Sequence, residues 1–296
     1  MSTVVIAGAS GLIGTALADS LRADGVDVVR LVRRPARGTD EREWLTDAAP
    51  LNPDVLAGAS AVVGVNGASI GRLPWTPGYR QTLRESRLRP TETLAAALKS
   101  LGSDAPPFLS GSAVGYYGSQ PGVELDEAGS RGDTFLAELC VEWEAAARTA
   151  GASTRVVHLR TAPIVHPDGV LKPLMRLTAL GVGGPIGRGT QIWPWISLED
   201  EVRAIRYLID ADVEGPVNLS GPTPASANDL GRAVARAMHR PFWLRAPEWA
   251  VRIGLGRAPV DSLLTSDAKV VPRVLCDAGF TFRDETVEAA TAAVLG

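Results

Sequence analysis

Thr3-Val4-Val5-Ile6-Ala7-Gly8-Ala9-Ser10-Gly11-Leu12-Ile13-Gly14 is the stretch that decides the fold. Thr3–Ala7 is a short apolar run rich in β-branched residues, which reads as a strand covered on both faces. Glycines follow at every third position, and an amphipathic pattern (Leu12, Ile13, Ala16, Leu17, Leu21) then runs to Gly25. Gly8 permits a sharp turn, Gly11 lets backbone N–H groups approach a diphosphate, and Gly14 lets the helix lie close to the sheet. The N-terminus of the helix adds free N–H donors and a partial positive charge. Strand, glycine turn and helix in direct succession are the context that gives such a string meaning. The expected phosphate cradle is Gly8, Ser10, Gly11, Leu12 and Ile13.

Outward from this cradle, Val26–Val32 reads as a second strand that ends in Arg33 and Arg34. A site for NAD usually carries an acid about 20 residues after the glycines, where it holds the ribose 2′-hydroxyl. Here no acid occurs until Asp40. Two guanidinium groups at this register suit a 2′-phosphate instead, so NADP(H) is the expected cofactor.

Further apolar strands are expected at Ala61–Val65, from Phe108–Leu109 onward and at Arg155–Leu159, with helices over Tyr79–Leu101 and Thr134–Ala150 between them. This alternation predicts an α/β fold with a doubly wound parallel sheet. After Arg160 the rhythm breaks at Pro163, Pro167 and Pro173. A helix at Glu199–Asp210 and a strand at Val217–Leu219 return to the sheet. The tail is mostly helical. The expected division is a dinucleotide-binding domain over 1–165, with that return at about 190–220, and a smaller substrate-side lobe over 166–296.

The 296 residues are 45% hydrophobic and 21% charged, with a net charge of −3, which excludes disorder and a disulfide-stapled miniprotein. Nothing in that balance calls for a nucleic-acid or membrane partner. No apolar run reaches the ~18–20 residues of a membrane span. Cys140 and Cys276 match neither a disulfide framework nor a zinc spacing, and the first residues lack the basic segment of a secretory leader. A cytoplasmic protein with a small-molecule substrate, compatible with a homodimer, is the expectation.

Several motifs carry a resemblance. The spacing G-x-x-G-x-x-G, Val65-Asn66-Gly67-Ala68 at a strand end, and Ser110-Gly111-Ser112-Ala113-Val114-Gly115-Tyr116-Tyr117-Gly118 resemble the extended short-chain dehydrogenase/reductase superfamily. An atypical epimerase-like branch of it is similar over nearly the whole chain. The shared features are Ser86-Arg87 before Thr91–Leu94, then Phe135, Leu136, Cys140, Trp143 and Glu144 on one helix, then Trp195, Ile196 and Asp200. A C-terminal module resembles that branch at Ala246-Pro247, Leu255-Gly256, Leu275 and Ala278-Gly279-Phe280. Members commonly bear a nucleoside-diphosphate-sugar epimerase label. The resemblance implies cofactor contacts from Asn66, Gly67, Ala68, Arg87 and Ser110.

One departure bears on mechanism. The superfamily works through Tyr-x-x-x-Lys on a helix, where both residues share a face. The tyrosines here, at 79, 116, 117 and 207, are followed four residues later by Leu83, Gln120, Pro121 and Ala211. On the corresponding helix the pair becomes Cys140 and Glu144, and the superfamily's catalytic serine position falls near Ala113, beside Ser112. The groups left to move a proton are Tyr116 and Tyr117 after a strand end, Ser112 beside them, and Glu144 as a base if desolvated, with Ser112 and Tyr116 the expected pair that polarises a substrate oxygen. Each also has an ordinary structural role open to it. His158 reads as a core residue, His166 and His239 show no metal spacing, and no metal is expected. Trp75, Trp193 and Trp195 either line a cleft or pack the lobes. The resulting expectation is an NADP(H)-binding oxidoreductase that moves hydride to or from a small carbonyl or alcohol. A nucleotide-sugar epimerase and a non-catalytic NADP(H) sensor are the alternatives.

Overall fold

Strand β1 (Thr3–Ala7) lies inside a seven-stranded sheet, in a computed structural model that describes residues 2–46, 49–247, 249, 252–253, 256 and 259–296. The motif residue Leu255 lies outside the described residues. The other strands of this sheet are β2 (Asp27–Val32), β3 (Glu41–Glu43), β4 (Ala61–Gly64), β5 (Phe108–Ala113), β7 (Val156–Thr161) and β11 (Gly215–Leu219); the two-residue strands β6 (Glu124–Leu125), β8 (Ile164–Val165), β9 (Ile192–Trp193), β10 (Ile196–Ser197), β12 (Ala225–Ser226) and β13 (Lys269–Val270) lie outside it. Every pairing within the seven-stranded sheet is parallel, in the order β11-β7-β5-β4-β1-β2-β3. From β1 the chain runs outward to β2 and β3, then returns on the other side through β4. That reversal opens a crevice at the carboxyl ends of β1 and β4.

Side-chain alternation decides which helices cover each face. Val4 and Ile6 pack with Leu17 and Leu21 of α1 (Leu12–Ala23) and with Ile205 and Leu208 of α5 (Leu198–Asp210). Val5 and Ala7 pack with Leu94 and Leu98 of α2 (Pro77–Leu101) and Ala147 of α3 (Phe135–Arg148). Each buried Val, Leu or Ile contributes about 1.5–3 kcal/mol, so a strand apolar on both faces is held from both sides.

Helix α2 begins two residues before the expected Tyr79, because Thr76 caps it and Pro77 fills its first turn, where no N–H is needed. Strand β3 was not anticipated. Glu41-Arg42-Glu43 is charged, as suits a sheet edge, and does not read as a strand in sequence.

The second lobe packs α4 (Leu171–Ala179), α6 (Ala227–Ala237) and α8 (Val287–Leu295) around Val165, Trp193, Trp195, Leu230 and Val234. The Trp-Ile-x-x-x-Asp motif belongs to its anchoring. The buried Asp200 carboxylate accepts from the backbone N–H groups of Arg283 and Asp284, each at 2.9 Å. The Trp195 indole donates to the Thr223 carbonyl at 2.9 Å. Near the C-terminus, β13 (Lys269–Val270) pairs with β6 (Glu124–Leu125), and α7 (Arg273–Asp277) packs on β11. Among the described residues no helix is long and apolar enough to cross a membrane.

Candidate active site

The glycine turn is shaped by close approach. Gly8 adopts φ +92°, and a Cβ there would stand 2.8 Å from the Val65 carbonyl group. A Cβ on Gly14 would stand 2.8 Å from Ala9 Cα. The Gly11 N–H closes the turn on the Gly8 carbonyl at 3.0 Å. Gly11 is also the N-cap of α1 and contributes no side-chain cap, whereas Thr76, Thr134, Ser197, Ser226 and Thr286 each accept an N–H at their own helices. The first N–H groups of α1 therefore face the crevice uncapped. Ser10 and Gly11 are exposed, and Leu12 and Ile13 half-buried. This surface fits a diphosphate.

On the β2 side the two arginines have different settings. Arg33 is exposed and has no hydrogen-bond or ion-pair partner among the described residues. Arg34 is clipped by both oxygens of Glu41, each at 2.7 Å. The Arg34 hydrogen bonds, with a further one from the Arg37 N–H, hold the buried Glu41 carboxyl at about 2. An acid does reach this corner, from the unanticipated β3, but it binds the arginine.

On the β4 side, Asn66 Oδ1 is buried without a hydrogen-bond partner among the described residues. The Ala68 N–H donates to Ser86 Oγ at 2.9 Å. Arg87 donates to the carbonyls of Leu83 (3.1 Å) and Ala68 (3.2 Å), beside Gly67. Ser110, on β5, is fully buried, and its hydroxyl turns to the Gly111 carbonyl at 3.4 Å.

A buried polar network joins β5, β7 and α3. The Ser112 hydroxyl donates to Glu144 Oε1 at 2.8 Å. Arg160 donates to the same carboxylate through Nε (2.8 Å) and Nη2 (3.1 Å). Its Nη1 donates to the Tyr117 hydroxyl at 2.9 Å, which in turn donates to Asn218 Oδ1 at 2.7 Å. Glu144 and Arg160 are only 4% and 3% exposed. Burial works to raise the Glu144 pKa, but the hydrogen bonds and charge of Arg160 outweigh it, and the carboxyl is held below its usual range. Glu144 is thus desolvated, as a base would need to be, yet paired and ionised, which removes its drive to take a proton. Burial pushes the Tyr117 phenol up to about 12, and the Cys140 thiol likewise to about 12.

Tyr116 is different. Its half-buried ring lies against the Arg160 guanidinium at 3.6 Å, and its hydroxyl has no hydrogen-bond partner among the described residues. The structure therefore brings Ser112 and Glu144 into contact with each other and stacks Tyr116 on the arginine that holds them. Sequence reading missed Arg160 and Asn218, and it did not separate the buried Tyr117 from Tyr116. The available signal was an arginine inside an apolar buried strand, which requires a partner.

Trp75, Trp193 and Trp195 are buried, and their indole N–H groups bond to the carbonyls of Ile70, Leu264 and Thr223. They pack the lobes. His158 is buried in β7, and burial pushes it down to about 4. No group of three potential metal ligands occurs among the described residues.

Comparison with known proteins gives the chain its relatives. The pattern of the NAD dependent epimerase/dehydratase family matches residues 4–220, and a domain of unknown function, DUF1731, matches residues 246–294. An epimerase family protein of Mycobacterium bovis is 40% identical over 289 residues, which span 97% of this chain and 95% of that one. The crystal structure of the human epimerase family protein SDR39U1 (isoform2) with NADPH superposes with a TM-score of 0.89 at 29% identity, covering 99% of each chain. The nucleoside-diphosphate sugar epimerase from Corynebacterium glutamicum superposes with a TM-score of 0.79 at 30% identity, over 100% of this chain and 58% of that one.

Proposed function

The chain belongs to the NAD dependent epimerase/dehydratase family, and on that premise we propose that it is an NADP(H)-binding oxidoreductase of the atypical extended short-chain dehydrogenase/reductase type, acting on a small carbonyl or alcohol. The observation that carries this reading is the uncapped start of α1 under Gly8 and Gly11, flanked by the unpaired Arg33. The NADPH present in the human relative's crystal supports it. When bound, the nicotinamide supplies the carbon that gives or accepts hydride.

The chain's own residues do the rest. Gly8, Ser10, Gly11, Leu12 and Ile13 hold the diphosphate on bare backbone, and Arg33 holds the 2′-phosphate. Arg34 is fixed on Glu41 and shapes the same corner. The Asn66-Gly67-Ala68 turn, with its unpartnered amide oxygen, bounds the crevice on the β4 side. Tyr116 holds the proton that polarises the substrate oxygen. Ser112 and Glu144 position β5 and α3 beneath it and do not themselves move protons. Residues 1–165 bind the dinucleotide in this scheme, and 166–296 cover the substrate.

A second reading, a non-catalytic NADP(H) sensor, draws on one specific observation. At the positions where the superfamily carries its tyrosine and lysine stand a buried thiol pushed up to about 12 and a carboxylate locked to Arg160. One experiment separates the two. NADPH and NADH are titrated by fluorescence, and NADPH oxidation is then followed with a panel of small aldehydes and ketones. Turnover that Tyr116→Phe abolishes, with NADPH affinity kept, supports the oxidoreductase. Tight NADPH binding with no turnover supports the sensor. No binding of either nucleotide overturns both.

A further inference from the structure

Arg87 lies across the cradle from Arg33. With β1 between β4 and β2, and Arg33 at the β2 end, a dinucleotide whose diphosphate rests on α1 must extend its second half over β4 and β5. Arg87 stands at that end. Its guanidinium is pressed on the backbone of Gly67, where a Cβ would be 3.0 Å from Cζ. On its other side it lies over the Trp143 indole at 5.2 Å. Trp143 in turn packs on Gly111 of β5, where a Cβ would be 2.6 Å from the ring.

The guanidinium is held in place but not neutralised. It donates to two carbonyls, Leu83 and Ala68, and no carboxylate pairs with it among the described residues. Burial lowers its pKa, the mark of a cation short of solvent and of counter-charge. A guanidinium has more N–H donors than two carbonyls use. A half-buried cation in this condition gains from any acceptor brought to it.

We infer that Arg87 clamps the nicotinamide-side ribose of the bound dinucleotide through its hydroxyls, as a positioning residue supplied by α2. This rests on the NADP(H) reading above, and Gly67 is then the residue that lets the guanidinium lie flush beside the crevice.

Calorimetry on the full chain tests it with three ligands: NADPH, 2′-phospho-ADP-ribose, which ends at the second ribose, and 2′-phospho-ADP, which keeps both bridging phosphates and lacks that ribose. Arg87→Met should weaken the first two by about tenfold or more and leave the third within about twofold. Arg87→Lys, which keeps the charge, should recover part of the loss. Unchanged binding of 2′-phospho-ADP also shows that the variant is folded. An unaltered NADPH affinity overturns the inference, as does an equal loss for all three ligands. A loss for NADPH alone moves the contact to the nicotinamide ring and overturns the ribose assignment. Wild-type protein that binds none of the three sinks the NADP(H) reading itself, a result distinct from the others.

Discussion

Glu144 on α3 and Arg160 on β7 form a buried, two-pronged ion pair at 2.8 and 3.1 Å, and the same carboxylate receives the Ser112 hydroxyl from β5. One helix and two strands are thereby tied at a single point. Removing one partner leaves the other charged and buried. Glu144→Gln should therefore cost roughly 3–5 kcal/mol of stability, read from the urea midpoint. The double variant Glu144→Gln, Arg160→Met should recover part of that loss. A single variant as stable as the wild type would show that the pair contributes nothing.

Glu201 makes stability fall toward neutral pH. It is fully buried at the start of α5, accepts from the Thr161 hydroxyl at 2.8 Å, and burial pushes its carboxyl up to about 8 from 4.5. Between those values the folded chain keeps a proton that the unfolded chain has lost. The unfolded state binds fewer protons there, so unfolding free energy falls as pH rises. The contribution is complete below about 4.5 and gone above about 8, with a limiting slope of about 1.4 kcal/mol per pH unit. Glu201→Gln should flatten the decline in Tm over this window. An identical pH profile in the variant would refute the assignment.

The glycine turn has no room for a side chain. Gly14→Ala would place a methyl 2.8 Å from Ala9 Cα, against backbone that cannot yield. A loss of about 1–3 kcal/mol in stability is expected, with NADPH affinity reduced by more than tenfold. Gly25→Ala is the control. Its φ is +74° and nothing lies within 4 Å of a Cβ there, so it should lose some stability through backbone strain and keep nucleotide binding. Differential scanning fluorimetry with and without NADPH reads both.

Arg33 and Arg34 should prove unequal. Arg33→Ala removes the unpaired guanidinium and should weaken NADPH about tenfold while leaving NADH unchanged. Arg34→Ala leaves the buried Glu41 with only Arg30 and the Arg37 N–H and loosens the corner, so it should lower Tm as well as affinity. Equal effects of the two substitutions on the NADPH-to-NADH ratio would contradict the division.

This inequality also marks where sequence reading stops. β1, the glycine turn and the order of strands and helices were legible because both-face burial and glycine spacing are local patterns. Strand β3 was not, since Glu41-Arg42-Glu43 is polar and gains its strand identity from the edge it pairs with. Without β3 nothing in the sequence says that Arg34 is engaged and Arg33 is not. The same holds for the buried network. Ser112, Glu144 and Arg160 sit on three elements, and only the packing of α3 across β5 and β7 shows that the expected base is an ion-paired strut. The Trp-Ile-x-x-x-Asp motif was visible as a motif, but its use, capping the backbone of Arg283 and Asp284, depends on where the C-terminal module folds back.

Two adjacent tyrosines separate structure from chemistry. The Tyr117 hydroxyl joins Arg160 to Asn218, so Tyr117→Phe leaves a buried acceptor unpaired and should cost about 1–3 kcal/mol. The Tyr116 hydroxyl makes no such bond among the described residues, so Tyr116→Phe should keep stability within about 0.5 kcal/mol. If Tyr116 polarises the substrate oxygen, the same variant should lose roughly a hundredfold in turnover with an active carbonyl, at unchanged NADPH affinity. The two readouts must diverge, with Tm falling for Tyr117→Phe and turnover falling for Tyr116→Phe. A Tyr116→Phe protein with full turnover would rule out Tyr116 as the acid.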